Sequence, residues 1–127
     1  MAQNNDQTIC IVDDDDAVRD SLKIMLESCS MRVRDFASAR DFLECAGYRD
    51  CRCLILDLHM PVMSGLELLE TLRAQKVEVP AVMVTGRPEP QLAIRLENAG
   101  LSGLLAKPVD DCELLDRIAR AISSAQH

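Results

Sequence analysis

Four apolar stretches of this chain run straight into side chains that can do chemistry. TICIV (Thr8–Val12) is followed by Asp13 and Asp14, CLIL (Cys53–Leu56) by Asp57, PAVMV (Pro80–Val84) by Thr85, and Leu104–Ala106 by Lys107. Three carboxylates, one hydroxyl and one ammonium make a defined chemical set if the fold brings them together. Two unit charges about 4 Å apart at an effective dielectric of about 20 interact by roughly 4 kcal/mol. Uncompensated crowding of three carboxylates therefore costs a large part of a total stability of about 5–15 kcal/mol. Lys107 offsets one charge, and a hard divalent cation offsets two more. Mg²⁺ suits such oxygen ligands, taking one or two carboxylates with waters and phosphate oxygens. A carboxylate such as Asp57 can also attack phosphorus and form an acyl phosphate. Phosphoryl transfer needs mainly positioning and charge neutralisation, which the remaining groups can supply.

The elements between these residues bring them together. Val18, Leu22, Met25, Leu26 and Cys29 recur at helical spacing after the first strand. Met31–Asp35 reads as a second strand, and Ser38-x-x-Asp41 as a cap opening a short helix to about Cys45. Ser64-Gly-Leu-Glu67 is a capping box for a helix ending near Lys76, and a weaker helix spans about Gln91–Ala99 with Gly100 as its stop. Asp110-x-x-Glu113 opens the last helix, with Leu114, Leu115, Ile118 and Ile122 facing inward. Buried strands alternating with helices predict right-handed βαβ units around a parallel sheet. In such sheets ligands sit outside the carboxyl ends of the strands, which is where all five residues fall. The fold class is α/β, a doubly wound, five-stranded (βα)5 sheet.

Length and composition exclude several alternatives. One domain accounts for 127 residues, with a core over about 8–122 and polar ends at Met1–Gln7 and Ser123–His127, the latter a tail or a shortened linker. The chain is 48% hydrophobic and 28% charged, which is globular composition. No apolar run reaches the roughly 18–20 residues of a bilayer span. MAQNNDQTICIVDDDD lacks the basic start of a secretion signal, so the expected location is cytoplasmic. A formal charge of −7 and only one Tyr, two Phe and no Trp argue against direct nucleic-acid binding. The six cysteines are expected to be reduced and mostly buried. Cys51-Arg-Cys53 alone falls short of a tetrahedral metal site, and His59 and His127 stand in unrelated contexts.

The segments IVDDDDAVRDSL, LILDLHMPVMSGLELL, MVTG and LLAKPVDD, in this order and spacing, resemble the receiver (response-regulator) domain of two-component signalling. They are most similar to receivers of nitrogen-fixation and nitrate-response regulators, and the resemblance covers about residues 8–122. It implies a flavodoxin-like strand order of 2-1-3-4-5. It also implies Asp57 as phosphoacceptor, Asp14 as a direct Mg²⁺ ligand, Asp13 as a ligand largely through water, and the His59 backbone carbonyl as another. Thr85 and Lys107 are implied to contact the phosphoryl oxygens, with a cis Lys107–Pro108 bond. The implied partners are a sensor histidine kinase and a downstream effector or C-terminal output domain. A homodimer or partner contact through the fourth helix, fifth strand and fifth helix is implied as well. Such a chain is a switch with slow self-dephosphorylation, not a metabolic enzyme.

Two departures from the pattern stand out. Leu104 occupies the position where the family often carries Phe or Tyr, so any signal through it rests on aliphatic repacking. The resemblance also implies that His59 and Arg87, two residues beyond Asp57 and Thr85, flank the path of a hydrolytic water, so that one of them is expected to tune autodephosphorylation. A nucleotide- or flavin-binding module is disfavoured because the first loop is DDDD instead of a phosphate cradle. An aspartyl phosphatase is disfavoured because Asp57 and the acidic pair follow different strands.

Overall fold

A computed structural model describes residues 8–45, 50–87 and 89–125. The elements in chain order are β1 (Thr8–Val12), α1 (Asp16–Ser28), β2 (Arg32–Phe36), α2 (Ala39–Cys45), β3 (Cys51–Asp57) and α3 (Gly65–Ala74). They continue with β4 (Ala81–Thr85), a 3₁₀ turn (Pro90–Leu92), α4 (Ala93–Asn98), β5 (Gly103–Ala106) and α5 (Asp111–Ala125). All neighbouring strands pair in parallel, in the order β2-β1-β3-β4-β5. No described helix is long and apolar enough to cross a membrane.

Alternation along each buried strand divides the core in two. Cys10, Val12, Leu54, Leu56, Ala81 and Met83 face α2, α3 and α4, whereas Ile9, Ile11, Ile55, Val82, Val84 and Leu105 face α1 and α5. β1 is buried along its whole length, as a central strand covered on both faces must be, while the edge strand β2 is exposed or half-buried. Each buried Leu or Ile contributes roughly 1.5–3 kcal/mol.

The helix starts follow the expected caps. Ser64 accepts from Glu67 N while Glu67 Oε1 accepts from Ser64 N, a complete capping box. Ser38 and Asp110 accept from Asp41 N and Glu113 N. Asp15 caps α1 by accepting from Ala17 N and Val18 N. Gly100 sits at φ +75°, a left-handed position that ends α4 without Cβ strain.

The differences from the sequence reading are local. Cys29 is the exposed C-cap of α1 and not part of its buried stripe. The expected Gln91–Ala99 helix is split, because Pro90 opens a 3₁₀ turn without a side-chain cap and α4 keeps only six residues. α3 stops at Ala74, and α5 runs on through Ser123 and Ser124 to Ala125. Of the six cysteines only Cys10 and Cys53 are buried; Cys51 is half-buried, and Cys29, Cys45 and Cys112 are exposed. Helical periodicity places a residue on a face but not its distance from the helix end, so Cys29 and Cys45 reach solvent. His127 lies outside the described residues.

Candidate functional site

β1 and β3 are adjacent, so their carboxyl ends deliver Asp13, Asp14 and Asp57 to one point. Their carboxylate oxygens all lie within 4.8 Å of one another. Asp13 and Asp57 are buried and Asp14 is exposed, so the cluster has two deep members and one at the mouth. Lys107 reaches in from the end of β5, its Nζ 3.3 Å from Asp57 Oδ1 and 3.4 Å from Asp13 Oδ2. A cleft of about 310 Å³ opens over these groups, lined by Asp14, Asp15, Asp57, His59, Gly86, Arg87 and Lys107.

The backbone around the cluster is tightly fixed. Asp13 N donates to Phe36 O, Leu58 N to Val84 O, and Lys107 N to Thr85 O, so each strand end is held by a neighbouring strand or its exit loop. Lys107–Pro108 is cis, as the motif implied. Asp13 Oδ1 accepts from Asp15 N at 2.9 Å, which turns that carboxylate toward the loop that follows it. A Cβ at Gly65 would overlap the Asp57 carbonyl oxygen, so only glycine lets α3 begin this close to the end of β3.

The electrostatics follow from this crowding. Burial, then the neighbouring Asp13 charge, raises the Asp57 carboxyl above its ordinary value; Lys107 pulls the other way. For Lys107 burial works against the charge, but Asp13 and Asp57 together outweigh it and hold the ammonium above its ordinary value. One ammonium faces three carboxylates, leaving the cluster net negative. Its donors are all hard oxygens, which fit a hard divalent cation. Among the described residues, no other group of three or more His, Cys, Asp or Glu side chains converges in this way.

Thr85 arrives at the correct strand end but is not turned into the cleft. Its buried hydroxyl donates to Arg87 O at 2.7 Å and accepts from Arg87 N at 3.1 Å, so its bonding is spent within its own loop. His59 and Arg87 both line the cleft. His59 Nε2 approaches Glu89 Oε2 at 2.9 Å, off the line of a hydrogen bond. Sequence reading passed over Glu89 and Arg19. Glu89 follows Pro88 in a loop with no periodic signal; Arg19, three residues after Asp16 on a helix, reads as an ordinary solvated pair. Nothing lies within 4 Å of a Cβ placed on Gly86, so that side of the cleft is open.

A doubly wound parallel sheet with an acidic cluster, a lysine and a threonine on its carboxyl edge defines a class of phosphoryl-handling signalling domains. Comparison with known proteins places the chain within it: residues 9–119 match the response regulator receiver domain, and the chain belongs to that family. It is 36% identical over 112 residues to the transcriptional regulatory protein FixJ of Azorhizobium caulinodans, covering 88% of this chain and 53% of that protein. It is 37% identical over 123 residues to the response regulator protein TmoT of Ectopseudomonas mendocina, covering 95% and 56%. The solved structure of the response regulator StyR superposes with a TM-score of 0.87 at 37% identity, over 92% of this chain and 59% of that one. The chain thus spans about half the length of the curated relatives it matches. Receiver domains are signalling switches and are not generally classed as enzymes.

Proposed function

We propose that this chain accepts a phosphoryl group on Asp57 from the phosphohistidine of a sensor histidine kinase and reports the event by changing its surface. The observation that carries this reading is the buried Asp57 carboxylate, held 3.3 Å from Lys107 Nζ and close to Asp13 and Asp14 under an open cleft. Asp13, Asp14, Asp57 and the His59 carbonyl are the residues that would hold Mg²⁺. When bound, that ion supplies charge neutralisation for an incoming phosphoryl group.

The chain's own groups have separate tasks. An Asp57 carboxylate oxygen bonds to phosphorus, and the bond from phosphorus to the kinase's imidazole nitrogen breaks. Lys107 stays paired with the modified side chain and balances its added charge. Thr85 releases Arg87 O and donates to a phosphoryl oxygen, which frees the loop leading to α4. Modification thereby biases an existing two-state equilibrium. Slow return by hydrolysis is tuned by His59 and Arg87 at the cleft mouth.

The responding surface is the face of α4, β5 and α5, where Ile94 is 71% exposed and Leu104 46% exposed. Leu104 repacks in step with Thr85, and the face meets an effector, an output domain following in a longer chain, or a second copy. That output is transcriptional by analogy with the relatives' names, with DNA contacts made outside this chain. Residues 8–122 act as one receiver unit in the cytoplasm.

Incubation with Mg²⁺ and acetyl phosphate, followed by intact-mass measurement, tests the assignment. The wild type is expected to gain one phosphoryl group, and Asp57→Asn none. An unmodified wild type, or equal modification of the variant, overturns it.

A further inference from the structure

Resting on that reading of the carboxylates as a cation site, we infer that Arg19 is a positioning residue for Asp13 and Asp14, with Asp35 as its anchor. Arg19 stands on α1 outside the cleft, and its side chain is only 13% exposed. All three guanidinium nitrogens are engaged. Nη1 donates to the Asp13 carbonyl oxygen at 2.7 Å, Nε to Asp35 Oδ2 at 3.1 Å, and Nη2 to Asp16 Oδ1.

The Asp13 contact is the informative one. The Asp13 carbonyl belongs to the peptide unit joining Asp13 to Asp14, so the bond from Arg19 sets the plane from which Asp14 departs. Asp13 N is already held by Phe36 O on β2. Asp35 lies on that same strand, one residue before Phe36, and also approaches Lys23 Nζ at 3.7 Å. Asp13 is therefore tied to β2 from both backbone atoms, its N–H directly through Phe36 O and its carbonyl through Arg19 and Asp35. A planar fork can make these bonds together; a lysine ammonium cannot copy that geometry. Outer partners of this kind typically change metal affinity by about 10–100-fold when removed.

The sign of the effect separates positioning from charge. If Arg19 only offset nearby carboxylates, its removal would make the cluster more negative and tighten cation binding. If it positions them, removal loosens binding although the site becomes more negative. A purely structural role would lower stability and leave affinity alone.

Calorimetric titration with Mg²⁺ alone, without any phosphodonor, decides between these outcomes, with thermal melts in EDTA confirming that each variant is folded. Arg19→Gln and Arg19→Lys are both expected to weaken Mg²⁺ binding by about tenfold. Asp35→Asn, which keeps shape and removes the anchor's charge, is expected to give a smaller loss in the same direction. Affinity unchanged or tighter in Arg19→Gln overturns the inference and leaves the reading of the site standing. A wild type that takes up no Mg²⁺ overturns both.

Discussion

The two ends of β3 treat ionisable side chains in opposite ways. At its amino end, burial pushes the Cys53 thiol up to about 12, and the half-buried Cys51, hydrogen-bonded to the Cys10 side chain, is also raised. Cys51 Sγ donates to Cys53 O at 3.1 Å, so these thiols keep their protons and pack as small apolar groups. At its carboxyl end, Asp57 is equally hidden and is also pushed upward, first by burial and then by Asp13. There Lys107 supplies an opposing charge, and the cluster still remains net negative. One strand thus meets burial with retained protons at one end and with counter-charge at the other. The second solution leaves a net negative cluster of hard oxygens beneath an open cleft, the feature on which the proposed function rests.

The largest expected effect comes from disturbing the scaffold of the charged end. Gly65→Ala drives a Cβ into the Asp57 carbonyl and is expected to cost about 3 kcal/mol, read by urea unfolding. A near-neutral result would show that α3 does not press on Asp57.

Next is Lys107→Met, which leaves Asp13 and Asp57 facing each other. Removing one partner of a fully buried pair costs roughly 3–5 kcal/mol. Because the lysine side chain is 25% exposed, a loss of about 2 kcal/mol is expected, partly recovered on adding Mg²⁺. Its pH dependence has a defined sign. The folded-state value of Lys107 is raised, so its stabilisation is complete below the ordinary ammonium value and disappears as pH rises through the higher folded value. The variant should lack that alkaline decline.

Asp57→Asn has the opposite sign. The raised carboxyl means that ionisation opposes folding, so the variant should be more stable at neutral pH by about 1 kcal/mol, or roughly 3–5 °C in Tm. The gain should shrink as pH falls through the raised folded value and vanish below the ordinary carboxylate value, where Asp57 is protonated in both states. A variant less stable than wild type would mean that Lys107 overcompensates the charge.

The mildest probe leaves the fold intact. A thiol reagent at neutral pH should label Cys29, Cys45 and Cys112 rapidly, while Cys10 and Cys53 wait for unfolding. Rapid labelling of Cys53 would contradict the packed, protonated amino end.

The strands and the charged and polar residues that end them were legible in the sequence because buried parallel strands are continuous apolar runs, and ligand sites of such sheets fall at one edge. Asp13, Asp14, Asp57 and Lys107 converge for that reason. Thr85 was correctly placed, but a strand-end position does not say whether a hydroxyl faces the cleft or its own loop, and here Arg87 holds it. The split before α4 was missed because the apolar spacing of Leu92 and Leu96 suits one continuous helix, whereas Pro90 and the absence of a side-chain cap decide the start. Arg19 and Glu89 were passed over because their roles depend on partners brought close only by the fold.

The central claim, that Asp57 alone among the clustered carboxylates forms the acyl phosphate, is tested most directly by locating the modification. After treatment with Mg²⁺ and acetyl phosphate, hydride reduction of the acyl phosphate and peptide mass analysis should mark Asp57 and leave Asp13 and Asp14 unchanged. A mark on Asp13 or Asp14, or at a carboxylate outside the cleft, would contradict the account.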